Sequence, residues 1–346
     1  MVVYFAVLMI PIIAALTWQR PSSRRNWGLF VYFLMLLAFV GLRDEVGPDW
    51  EAYEANFEAI RDLHWTEFLW RREPGFALIA KLSSVMGLGV HGMNLICAFL
   101  FLAGVFTYAR ITLNPWLSLA MVVPYLVFVV GMSGIRQAAA LGLMFLMLAT
   151  WDRTSLVRKS ILILLAMSIH FSAVFFFVFL VFKKDRFLVF RVAAALVLVL
   201  LSAGTLADSE AIGRYHRTYI EANVESSGAY LQVMLNAFPA ALYLCFRKQI
   251  LGFTPYNGQV NMGAVMALIA LLFVPLSTTG ISRIALYLSF LQMWVYPAFV
   301  HANVRERREP LTLAVAGASV VVFLVYFMLG SHAPEYLPYR SILFRG

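Results

Sequence analysis

Apolar runs close to bilayer-crossing length recur along the whole chain, at residues 2–18, 27–42, 92–109, 116–130, 138–150, 188–206, 229–246, 260–276, 283–300 and 311–329. Their continuous character suits helices, which satisfy every backbone N–H and C=O within the segment, and does not match the alternating pattern of an outer-membrane barrel. With 13% charged residues and a mean hydropathy of +0.81, the chain holds more apolar surface than one soluble core can bury. The expected fold class is an all-α polytopic integral membrane protein, a single transmembrane domain over residues 1–346. Residues 2–18 read as the first span, because neither a basic leading region nor an A-x-A-like site frames them as a leader. Cys97 and Cys245 both lie inside apolar runs, so neither a disulfide nor a zinc site is expected.

The formal net charge of +9 is informative only once it is placed. Basic clusters belong on cytoplasmic loops, and five are visible: residues 20–25, 153–159, 183–186, 247–248 and 305–308. The apolar run 160–182 has such a cluster at both ends. Folding it as a hairpin that rises to His170-Phe171-Ser172 and descends again keeps every cluster on one side. That parity puts two loops, 43–90 and 207–228, and the tail from Ser331 on the outer face, which in a bacterium is the periplasmic side of the inner membrane. Single cysteines placed at Ser133 and Arg214 are accordingly expected to react with an impermeant reagent from outside; labelling of both from the cytoplasm alone refutes the arrangement.

The longest polar interruption runs over residues 43–76 and reads RDEVGPDW, EAYEANF and EPGF at its landmarks. Gly47-Pro48 predicts a turn and Asp49 an N-cap. The helix after it carries an apolar face of Trp50, Tyr53, Phe57 and Ile60, suited to lying on the membrane surface. Glu73-Pro74-Gly75 starts a further segment, residues 76–88, which contains Lys81, is short for a span and reads as re-entrant or interfacial.

Five arginines then fall on the outer side near the ends of spans: Arg43, Arg136, Arg214, Arg217 and Arg283. A guanidinium near hydrocarbon costs roughly 2.5–3.5 kcal/mol at a helix centre, less near the interface, so something anionic should compensate. The guanidinium fork matches phosphate oxygens, which points to a phosphate or diphosphate headgroup. Arg136 follows a backbone break at Gly131 and Gly134 and is joined by Gln137; Arg283 and Tyr287 lie one helical turn apart and are expected to share a face. His170, with Ser168 and Ser172 close by, sits where two apolar arms meet. Asp49 and Glu73 are the candidate carboxylates. Each has a structural alternative: pairing with an acid or a lipid phosphate for the arginines, an N-cap for Asp49, a helix start for Glu73, a satisfied core residue for His170. No HExxH, Walker loop or dinucleotide fingerprint occurs, so no metal, nucleotide cofactor or nucleic-acid partner is expected.

The order of these motifs resembles a known family. R-x-x-V-G-x-D-x-x-x-Y-x-x-x-F (Arg43, Val46, Gly47, Asp49, Tyr53, Phe57), then E-P-G-F (Glu73 to Phe76), Arg136-Gln137 and His170-Phe171-Ser172 are similar to the EpsG-like, Wzy-type exopolysaccharide polymerases. The likeness covers about the first half of the chain; the second half is matched by its helix pattern and Arg283. It implies a GT-C-like helical bundle and a metal-independent glycosyltransferase that joins repeat units carried on undecaprenyl diphosphate. In that reading Arg136, Arg283, Gln137 and Arg43 hold the diphosphate, Asp49, His170 or Glu73 serves the acceptor hydroxyl, and Tyr53, Arg214, Tyr215, Arg217, Tyr219 and Tyr287 meet the sugars. The implied partners are the lipid-linked oligosaccharide, membrane lipid, and a flippase and chain-length regulator of the same pathway. A glycan ligase of the same fold and a non-enzymatic transporter of lipid-linked glycans are the rival readings.

Overall fold

The structure is a computed structural model that describes residues 1–18, 22–181, 227–253, 257–276 and 278–344. The expected span 188–206 and nearly all of the expected second outer loop, including Arg214, Tyr215, Arg217 and Tyr219, lie outside the described residues. Among the described residues the fold is helical throughout: α1 (Val2–Thr17), α2 (Ser23–Gly41), α3 (Trp50–Arg61), α4 (Pro74–Val85), α5 (Gly89–Arg110), α6 (Pro115–Val122), α7 (Ile135–Ala149), α8 (Leu156–Ile169), α9 (Phe177–Val181), α10 (Ser227–Cys245), α11 (Asn257–Phe273), α12 (Thr278–Ala285), α13 (Phe290–Ala302) and α14 (Arg305–Leu329), with short 3-10 segments between. Three of these, Gly89–Arg110, Gly228–Cys245 and Glu306–Leu329, are long and apolar enough to cross a bilayer alone. The segment Gly280–Leu288 with Phe290–Ala302 makes a fourth, bent by 43°. The chain is a multi-pass membrane protein.

The centre is built on α5 and α7, which approach so closely that a Cβ on Gly104 would meet the Gly142 carbonyl, and one on Gly142 the Leu100 carbonyl. Small residues at a helix crossing let backbones touch where lipid offers no hydrophobic drive to association. Around this pair α2 and α4 pack on α5, and α8 on α7; α6 carries α1, α13 and α14.

Three departures from regular helix shape the outer end. After Val122 the chain continues as a π-helix over Val123–Val130, turns through Gly131, and restarts as α7 at Ile135. At His170 the backbone goes extended (φ −149°, ψ 118°), stops α8, and resumes as a 3-10 turn over Phe171–Phe176 packed on α7 and α8. This is the break expected at His170; the expected descending arm is described to residue 181, as the 3-10 turn and α9. Between α12 and α13 the helix tightens to 3-10 at Leu286–Leu288. There Gln232 Nε2 donates to the Ser282 carbonyl, Asn236 Nδ2 to the Ala285 carbonyl (2.7 Å) and Gln292 Nε2 to Asn236 Oδ1 (2.8 Å). Amide side chains thus satisfy carbonyls that a bent helix leaves unpaired in an apolar setting.

Other expectations need correction. Lys159, expected on a solvated loop, is 6% exposed with its Nζ 4.1 Å from the centre of the Trp151 ring. The cluster at 305–308 opens α14 instead of preceding it. Arg283 and Tyr287, expected to share a face, differ in setting because the helix tightens to 3-10 at Leu286–Leu288: Arg283 is exposed and lines two cavities at one end of the bundle, whereas Tyr287 is 1% exposed and lines neither. The tail from Ser331, for which no contact was expected, folds across the 42–47 loop. Arg43 pairs with Ser341 in an antiparallel bridge, Asp44 N–H donates to the Arg340 carbonyl (3.1 Å) and Ile342 N–H to that of Leu42 (3.1 Å). Tyr339 stacks on Phe39 with ring centres 4.3 Å apart.

If the α5–α7 contact governs packing, Gly142→Ala lowers stability by about 1–3 kcal/mol, the usual cost of overpacking. Gly317→Ala, where open space surrounds the missing Cβ of α14, leaves it unchanged or raised. Thermal unfolding in detergent separates the two; equal effects sink the assignment.

Candidate active site

The EPGF segment is the anchor, and each of its residues has a physical task. Glu73 occupies the N-cap of α4 but makes no side-chain cap; Pro74 supplies the fixed φ of the first turn. Gly75 lies so close to the end of α8 that a Cβ would strike the Ser168 hydroxyl and come to 3.0 Å from its carbonyl carbon. Phe76 is buried, 5.5 Å beneath the Arg136 guanidinium. The approach that Gly75 permits brings the Glu73 carboxylate to the break after α8. Its Oε1 accepts from His170 Nδ1 (2.7 Å) and from the Phe171 backbone N–H (3.2 Å), and its Oε2 from Arg136 NH1 (2.6 Å).

Burial, the largest single influence on Glu73, pushes its pKa up. It is outweighed by the hydrogen bond and charge of His170, the charge of Arg136 and the Phe171 N–H, which together hold the carboxyl down at about 2. Held this low, Glu73 stays ionised near neutral pH, and both of its oxygens are occupied by His170, the Phe171 N–H and Arg136. A carboxylate only accepts hydrogen bonds, so the proton of a neutral His170 ring must sit on Nδ1, leaving the Nε2 lone pair free.

Two cavities meet at this point. The smaller, about 340 Å³, is lined by Glu73, His170, Arg136, Arg283, Arg71 and Arg72 among others. The larger, about 720 Å³, shares Asn56, Arg136, His170 and Arg283 with it and extends past Asp49, Tyr125 and Gln232 to Leu329 and His332. Residues of α3, α4, the π-helix, α7, the break after α8, α10, α12, α14 and the tail thus converge on one end of the bundle.

The other expected residues divide. Arg283 is exposed and lines both cavities. Gln137 borders the larger cavity but is 7% exposed, with its Nε2 donating to the Arg283 carbonyl (2.7 Å), so it ties α7 to α12. Asp49 does not cap α3 with its side chain; its exposed carboxylate accepts from Ser133 Oγ (2.6 Å) on the wall of the larger cavity. Tyr53 is a shelf, its ring centre 5.7 Å from the Arg136 guanidinium. Tyr287 is buried, hydrogen-bonded to Ser172 Oγ (2.9 Å), and lines neither cavity.

Arg43 is the clearest correction. It is fully buried and lines neither cavity, donating to the carbonyls of Val40 (2.8 Å), Val46 (3.2 Å) and Met132. Burial lowers its pKa to about 10, so it stays charged. Beside it Gly47 adopts φ +100° with its Cα facing the Met132 carbonyl, a geometry closed to other residues. The R-x-x-V-G-x-D motif is a clamp that holds the outer loop on the turn before Arg136. Sequence reasoning passed over Arg71 and Arg72, whose signal was their adjacency to Glu73, and the buried pair of Asp44 Oδ1 with His91 Nε2 (3.0 Å).

A membrane bundle with a carboxylate-held imidazole beside an arginine-lined cavity defines the class to which the site belongs. The model of the EpsG family matches residues 26–341, and the chain belongs to that family, a membrane family linked to exopolysaccharide synthesis. The match extends the likeness across the second half of the chain. No curated protein and no solved structure matches.

Because Glu73 is depressed from 4.5 to about 2 on folding, it stabilises the fold fully above 4.5, and the contribution is lost as pH falls toward 2. Glu73→Gln is expected to unfold at lower temperature than wild type at pH 7, with the gap narrowing steadily down to pH 3. A gap independent of pH contradicts the ionic role.

Proposed function

We propose that the protein is a polysaccharide polymerase of the GT-C type, joining oligosaccharide repeat units carried on undecaprenyl diphosphate at the outer face of a bacterial inner membrane. The observation that carries the reading is the Glu73-held His170, whose free Nε2 belongs to a ring lining both cavities, next to Arg136 and Arg283. Family membership supplies the exopolysaccharide context.

In this reading the acceptor hydroxyl of one lipid-linked unit lies against His170 Nε2. As its oxygen attacks the anomeric carbon of the donor glycan, its proton passes to Nε2, and the imidazolium is stabilised by Glu73 through Nδ1–H. The bond from that carbon to the donor diphosphate breaks, and the electron pair leaves with the diphosphate. Arg136 and Arg283 meet the negative charge that develops on the leaving oxygen, the task a divalent ion performs elsewhere. The lengthened glycan stays on the acceptor's own lipid diphosphate, ready to serve as the next donor. A flippase that delivers units and a regulator that ends growth are the partners this scheme requires.

Purified wild type given its lipid-diphosphate repeat unit is expected to make a ladder of longer glycans. His170→Gln should lower the rate by about 10²–10⁴-fold, the range of general acid–base contributions, while still binding the lipid and unfolding near the wild-type temperature. A wild type that binds the native unit yet never extends it, or moves it between leaflets unchanged, replaces the polymerase by the transporter.

A further inference from the structure

We infer that Arg71 and Arg72 form a diphosphate-binding subsite at the mouth of the smaller cavity, separate in task from Arg136; the inference deepens the polymerase reading and rests on it for the identity of the ligand. Four guanidinium groups line this cavity, those of Arg71, Arg72, Arg136 and Arg283, against a single carboxylate, Glu73. That carboxylate is fully engaged: one oxygen serves His170 and the Phe171 N–H, the other Arg136. Glu73 adjoins Arg72 in sequence, yet it faces away from neutralising it.

Arg71, Arg72 and Arg283 make no ion pair among the described residues. Among the described residues the cavity therefore presents three positive charges with no acidic partner around a space of about 340 Å³. Arg72 is also held in place, its guanidinium carbon 5.7 Å from the centre of the Phe171 ring. Phe171 follows His170 and gives its N–H to Glu73, so the cation is fixed relative to the imidazole through a chain of two residues. A cation–π contact at an exposed site is a weak attraction, and it also orders the planar fork before any ligand binds. The ligand chemistry that answers three guanidinium groups around one cavity, Arg72 held over Phe171 and Arg71 and Arg283 exposed beside it, is a diphosphate, whose two phosphoryl groups offer oxygens to both sides of the cavity.

The test uses the full chain in a zwitterionic detergent with geranylgeranyl diphosphate as probe, binding being read by calorimetry. Arg71→Gln and Arg72→Gln, both at exposed positions, are each expected to weaken binding about tenfold, and the double variant about a hundredfold, with unfolding temperature unchanged. Arg72→Lys should recover only part of the loss, since it keeps the charge without the fork. In the polymerisation assay the same variants should raise KM for the lipid-linked unit more than they lower kcat. A double variant that binds the probe as wild type does overturns the subsite and leaves the polymerase reading intact. Equal affinity for geranylgeranyl monophosphate, or displacement of the probe by phosphatidylglycerol, overturns it in favour of general headgroup contacts. Loss of diphosphate binding in the double variant of a protein whose wild type makes no ladder keeps the subsite and removes the polymerase.

Discussion

The carboxylate of Glu73 is the joint on which the cavity-bearing end of the bundle depends. It belongs to α4, yet its hydrogen bonds go to the end of α8 and the start of α7, so one side chain sets the relative position of three elements. A charge with only 11% of its side chain exposed must be partnered or the fold bears its desolvation, and here both oxygens are filled by donors that are charged or fixed. The same bonds that make the anion tolerable orient the imidazole and anchor the guanidinium. Structural need and chemical arrangement coincide in that group.

Arg43 and Arg136 show that a residue type does not carry its role with it. Both are arginines at the outer ends of apolar runs, and an anion was the natural expectation for both. A guanidinium, however, is also well suited to binding the carbonyls that helix ends leave unpaired, since it offers five N–H groups in a rigid fork. Arg43 is used that way, gathering carbonyls from α2, the loop and the turn after the π-helix, while Arg136 retains a view of both cavities. Burial separates the two uses, and burial is a property of neighbours distant in the chain.

Much of the fold was legible because the bilayer imposes length and continuity on its helices. The face of α3 was legible for a different reason: Trp50, Tyr53, Phe57 and Ile60 recur at helical spacing, and those four are its buried residues. The break at His170 and the opening before Arg136 could be read from polar and glycine residues interrupting apolar runs. What could not be read was which breaks meet. Glu73 lies 97 residues from His170 and 63 from Arg136, and no local pattern encodes a contact across such distances. The carbonyl ties of Gln137, Gln232 and Asn236 were hidden likewise, since an amide in an apolar run looks the same whether it faces a ligand or mends a bent helix.

The tail laid across the first outer loop has a consequence for how the molecule is made. Tyr339 and Phe39 are joined by a hydrogen bond and a ring stack, although 300 residues separate them. On a ribosome the loop therefore emerges long before its final partner exists. Throughout that interval the N–H groups of Asp44 and Gly47 have only water or a chaperone to satisfy them. This end of the bundle acquires its finished backbone pairing only once residues 335–342 have been made, so a nascent chain that has inserted its early helices still lacks the surface on which its cavities open.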